Sequence, residues 1–72
     1  MLTDGTYDAI VVDADQAGPG AVSLELVLLD GDNKGKVVRV VASRLGREPS
    51  AALGLPATIR VLSGNPSVTL ED

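Results

Sequence analysis

Apolar and polar residues alternate with a period of two along several short stretches of this chain, and clusters of Gly, Pro, Asn and Asp separate them. Successive side chains leave a strand on opposite sides, so such alternation predicts strands with one buried face. The clearest case is Ala21–Leu29, AVSLELVLL, in which Val22, Leu24, Leu26 and Leu28 share one face and Ser23 and Glu25 point away. Four more strands follow from the same pattern: Thr6–Asp13, Lys36–Ser43, Ala57–Leu62 and Ser67–Glu71. Their expected inward residues are Val38, Val40 and Ala42 (with Lys36 in phase at the strand's start), then Ala57, Ile59 and Val61, then Val68 and Leu70. Arg39 and Arg60 fall on the outer faces.

The breaks carry their own signals. QAGPG, residues 16–20, separates the first two strands, and DGDNKG, residues 30–35, separates the second from the third. SGNP, Ser63 to Pro66, predicts a tight hairpin in which Gly64 and Asn65 take positive φ. Pro66 marks an edge strand, where a missing donor does little harm. The connection RLGREPSAALGLP, residues 44–56, is too long for a turn. Pro49 suits a first helical position, and Ser50 to Leu53 can follow as one short turn. Gly54 then supplies a left-handed cap, and Pro56 prevents continuation. Leu53 and Leu55 are expected to plug the open end of the fold.

Three strands, a short helical connector and a two-strand hairpin give an all-β fold. The reading is a small five-stranded OB-like Greek-key barrel with one helical turn between strands 3 and 4, formed by residues 1–72 as a single domain. An SH3-like barrel also has five strands, but its helical turn falls before the last one. A plain meander would leave an apolar face uncovered.

Composition fits this architecture. Ten Val, ten Leu, two Ile and eight Ala supply an aliphatic core, and Tyr7 is the one aromatic residue. A 72-residue chain buries only about 60% of its unfolded surface, so its stability margin is small. With neither Cys nor His in the sequence, disulfides, thiolate metal sites and imidazole catalysis are excluded. No stretch reaches the roughly 20 apolar residues of a membrane helix, and the acidic start MLTDGTYD lacks the features of a signal peptide. A cytoplasmic location is the expectation. The net charge of −4 is unevenly distributed. Residues 1–33 carry seven acidic groups and no basic one, whereas residues 34–60 carry all six basic groups against Glu48 alone. Such a split can place a basic patch on an acidic body, unless the fold interleaves the segments.

Catalytic and metal-binding readings are weak. Asp30, Asp32 and Gly35 match positions 1, 3 and 6 of an EF-hand loop, but position 5 is Lys34 and position 12 is Val41. An ammonium at a ligand position and no bidentate Glu make a poor cation site. Gly31 and Gly35-Lys36 miss the spacing of a phosphate loop. Asp13 and Asp15 sit at a strand end, where solvated charges are the simpler reading. The serines have no His partner and no nucleophile elbow. No metal, cofactor or enzymatic activity is expected.

Short segments of the chain resemble small OB-like proteins of bacteria and their phages, including single-strand-DNA-binding-like families. The segments are G-T-Y-D-A, K-G-K-V-V, G-L-P-A-T-I-R-V and G-N-P-S-V-T-L, and the matching positions are Gly5, Tyr7, Lys34 and Gly35. The resemblance implies the OB-like fold, and implies nucleic-acid binding where basic and stacking residues are kept.

Two surface functions are therefore expected. The first is protein interaction or self-association through an outer aliphatic patch of Val27, Leu29, Val37 and Val41, with Arg39 at its rim. The second is weak, salt-sensitive binding of single-stranded nucleic acid through Lys34, Lys36, Arg39, Arg44, Arg47 and Arg60. Stacking platforms for bases are scarce, since Tyr7 is the sole candidate.

Overall fold

A computed structural model describes residues 3–29, 31–43 and 48–71. They form one five-stranded antiparallel sheet with little helix. The strands are β1 (Gly5–Gly18), β2 (Ala21–Leu28), β3 (Val37–Ser43), β4 (Pro56–Leu62) and β5 (Asn65–Leu70). A 3₁₀ turn, Gly31–Asn33, lies between β2 and β3, and the helical turn α1 (Pro49–Ala52) lies between β3 and β4. The strand order is β3-β2-β1-β4-β5, so β3 and β5 are edges and the sheet is not closed into a barrel among the described residues.

The expected alternation sets the core. Val22, Leu24, Leu26 and Leu28 of β2 are buried, as are Val40 of β3 and Ala57, Ile59 and Val61 of β4. Val38, Ala42, Val68 and Leu70 are partly buried and pack against them. Each large aliphatic side chain withdrawn from water contributes about 1.5–3 kcal/mol. At the centre Ala9 lies directly opposite Ala57, and both are buried. These small residues leave room for Leu28 and Leu70, which flank them in the same cross-strand row.

β1 joins the two halves, and it is much longer than the Thr6–Asp13 segment expected. Gly5–Ile10 pairs with β4, and Ala9–Gly18 pairs with β2. The stretch Asp13–Ala17 has poor strand propensity, and its pairing with β2 overrides that preference. Register shifts at Val12 and Ala17 bend the strand. Val12 faces outward by alternation with Ile10, and the first shift puts Asp13 on the outer side as well and returns Ala14 to the core side. The break therefore comes at Pro19-Gly20, not at Gln16.

The other turns follow their glycines closely. Gly35, at φ +88, donates its N–H to Leu28 O at 2.8 Å, while Leu28 N donates to Lys36 O at 3.0 Å. Two residues thus face one across the ladder, a bulge that requires a left-handed first residue. In the last hairpin Leu62 pairs with Asn65, so the turn residues are Ser63 and Gly64, at φ +52 and +79. Asn65 already belongs to β5, which corrects the expected Gly64-Asn65 turn. The carboxylate of Asp4 accepts the N–H of Ser63 at 3.0 Å and of Gly64 at 3.2 Å. That pair of bonds holds a non-glycine residue in a conformation it rarely adopts.

The connector matches its punctuation, with Pro49 opening the turn and Gly54 at φ +80 after it. Gly54 N and Leu55 O bond to Val11 O and Val11 N at 2.9 and 3.0 Å, which fixes the connector against β1. The plug is Ala52, fully buried, with Leu55 half-buried beside it. Leu53 is 48% exposed and does not serve as the plug. A β-extended Leu53 directly after the last helical residue turns that side chain away from the core.

Candidate functional site

The outer face of β1, β2 and β3 carries the residues that composition and alternation single out. Cross-strand register places them in rows. One row runs Val37, Val27, Ile10 and Pro56 across β3, β2, β1 and β4. Val27 and Val37 are thus direct neighbours. Val37 is 60% exposed, while Val27 and Ile10 are half-buried. Leu29, 45% exposed, lies just past β2, and its N–H donates to Asp8 O at 3.0 Å, which extends the β1–β2 ladder.

The next row contains Arg39, Glu25 and Asp13. Nη2 of Arg39 donates to Oε1 of Glu25 at 2.5 Å. That hydrogen bond raises the guanidinium pKa above its ordinary value, as does the charge of Glu25, with Asp13 and Asp15 adding to it. The row after that contains Val41, 62% exposed, with Ser23 and Asp15. The four aliphatic residues expected to form one patch are therefore divided. Val27, Val37 and Leu29 share a neighbourhood, and the Arg39–Glu25 pair separates Val41 from them. Ile10 joins the first group. Its position out of phase with Ala9 and Val11 is the sequence signal that marks it as outward-facing.

The basic residues do not gather on this face. Lys34 and Lys36 are exposed in the turn before β3. Arg60 stands outward on β4, opposite Thr6 of β1 and Ser67 of β5. β2 and β1 lie between it and Arg39, and β1 carries Asp8, Asp13 and Asp15 on the intervening outer face. Arg44 and Arg47 lie outside the described residues. Tyr7 pairs with Ile59 on the inner side, half-buried against the core, and its hydroxyl donates to Thr3 O at 2.5 Å. The aromatic ring is therefore packed inward, away from the outer face.

A groove of about 250 Å³ runs between the two sheet edges, lined by Val40–Ser43 of β3 and Pro66–Val68 of β5. Among the described residues no backbone hydrogen bond joins these strands. No cluster of acidic groups among those residues is arranged to hold a metal ion, and no helix is long and apolar enough to cross a membrane. Comparison of the chain with family models, curated proteins and solved structures finds no match.

Proposed function

We propose that this chain is a non-catalytic, OB-like binding module that acts through its surface on a protein partner, and that the partner is a second copy of itself. Its strand order supports the OB-like reading. β1 is shared between β2 and β4, a short helical turn precedes β4, and β3 and β5 approach as the lips of a partly open barrel. The observation that carries the interaction reading is the aliphatic group on and beside β2 and β3: exposed Val37 and Leu29 with half-buried Val27 beside them, and exposed Val41 beyond the Arg39–Glu25 pair. Exposed β-branched residues side by side on a sheet favour contact with another apolar surface.

Single-stranded nucleic acid is the competing partner. Arg39 is already engaged by Glu25, acidic residues surround it, and Tyr7 packs inward, so the features such binding needs are dispersed. Sedimentation of the free protein over a range of concentrations, beside a titration with fluorescently labelled single-stranded DNA at low salt, tests the two. Concentration-dependent association without DNA binding is the expected result. Salt-sensitive DNA binding by a strict monomer would replace this proposal with the other.

A further inference from the structure

We infer that Asp4-Gly5 is a site of spontaneous aspartate isomerisation, that the β4–β5 hairpin holds it unreactive, and that its reaction releases that hairpin. The site is independent of whatever the surface binds.

An Asp-Gly step is chemically open because glycine has no side chain to shield its amide nitrogen. That nitrogen can attack Cγ of the preceding aspartate. A succinimide ring forms, and the carboxyl OH and the amide proton leave together as water. Water then reopens the ring. Addition at the main-chain carbonyl breaks its bond to nitrogen and leaves isoaspartate, in which the chain runs through Cβ and the free carboxylate sits on Cα. Addition at Cγ restores aspartate. One water is released and one consumed, and no other reactant is needed.

The fold uses both residues of this step. Gly5 opens β1 at φ +151, a conformation that residues with side chains rarely adopt. Asp4 supplies the carboxylate that accepts the N–H of Ser63 at 3.0 Å and of Gly64 at 3.2 Å. A different residue at either position removes the reactive step together with a structural part.

The same contacts restrain the chemistry. Each carboxylate oxygen of Asp4 has its own donor in the hairpin turn, which tethers Cγ there. The nucleophile is engaged as well. Val11 exchanges backbone bonds with Gly54 and Leu55 on the β4 side of β1. Bonded pairs recur every second residue of an antiparallel ladder, so Ala9, Tyr7 and Gly5 bond to Ala57, Ile59 and Val61. Gly5 N–H is therefore donated to Val61 O, and attack on Cγ requires that proton to be lost. Electrophile and nucleophile are both held by residues 61–64, so opening of that end of the hairpin frees them together. Isomerisation then makes the opening permanent. The added main-chain carbon separates the residue 4 carboxylate from its place beside Ser63 and Gly64 while Gly5 stays in register. The Tyr7 bond to Thr3 O spans the same carbon and is displaced with it.

The test is incubation of the whole chain at body temperature and neutral pH, in buffer and in unfolding urea, followed by cleavage after glutamate. Glu25 separates Asp4 from Asp30-Gly31, the other Asp-Gly step of the sequence. Isoaspartate is read as a peptide of shifted retention and unchanged mass. The Asp4 isomer is expected to form at least about tenfold more slowly in the folded chain than in urea. Equal rates would overturn the restraint. Two variants, each checked for fold by circular dichroism, locate its source. Gly64→Ala strains the β4–β5 turn at φ +79 and is expected to raise the folded-state rate about fivefold. Gly35→Ala strains the β2–β3 turn at φ +88 and is expected to leave that rate unchanged. An equal rise in both would assign the reaction to global unfolding and overturn control by the hairpin. If Gly64→Ala does not fold, Val68→Ala, at a half-buried position of β5, takes its place with the same expected direction. Amide exchange in the purified isomer is expected to be faster at Ser63 and Gly64 than in the parent. Unchanged protection there would overturn release of the hairpin.

Discussion

The two edges of the sheet have the same topological position and opposite character. β3 is aliphatic, and its inner side reaches full burial at Val40. β5 is polar, carries a proline, and is only half-buried on its inner side at Val68 and Leu70. Each is held by one neighbour through a hairpin, but the hairpins are secured differently. The β2–β3 turn depends on two left-handed glycines, Gly31 and Gly35, whereas the β4–β5 turn depends on a carboxylate from the distant N-terminal segment. An edge anchored deeply in the core can remain sticky without fraying. An edge anchored weakly is the safer one to blunt, since its loss of pairing strength costs the fold less.

The largest effect that could break this comparison is in the core beside each edge. Leu24→Ala, on the β3 side, is expected to destabilise by about 3 kcal/mol. Leu70→Ala, on β5 itself, is expected to cost about half as much because it starts half-buried. Chemical denaturation measures both, and equal losses would remove the distinction in anchoring. Next come the hairpins. Gly35→Ala forces a side chain into φ +88 and is expected to cost about 1 kcal/mol. Asp4→Ala releases the N–H groups of Ser63 and Gly64 and is expected to cost about 1 kcal/mol by the same measurement. Amide exchange refines the assignment. Asp4→Ala should speed exchange at the β4–β5 turn and leave the β2–β3 turn unchanged.

A smaller gain is expected from Ser63→Asn. It creates the Asn-Gly pair that two left-handed turn residues favour, and should stabilise by about 0.5 kcal/mol in a thermal melt. The smallest effect belongs to Arg39→Met, because the ion pair is exposed and solvent screens it. The pair holds the Arg39 pKa above its ordinary value, so its contribution is full below that value and fades only as pH rises through the raised one. Stability attributable to Arg39 should therefore be flat across neutral pH, and a melting series from weakly acidic to weakly alkaline buffer checks it.

Much of the fold can be read in the chain because period-two alternation is a local property. Val22, Leu24, Leu26 and Leu28 share a face whatever lies across from them, and Pro49, Gly54 and Pro56 limit a helix wherever the connector runs. The candidate site is far less legible. That Val27 and Val37 touch, that Ile10 joins them and that Arg39 separates Val41 from them all depend on register between strands. The cation-rich segment suggested a patch because its charges are close along the chain. In the sheet, Arg39 lies beside Glu25 and near Asp13 and Asp15, which come from the acidic segment.

The sequence by itself determined which residues face inward, where most strands begin and end, and which connection becomes a helical turn, because backbone geometry and side-chain alternation are set within a few neighbouring residues. Only the tertiary structure decided that β1 continues to Gly18, that Asp4 closes a hairpin 59 residues away, and that β3 and β5 are left as edges. Those outcomes depend on hydrogen bonds and burial between segments far apart in the chain, and no local pattern encodes which partner a strand will find.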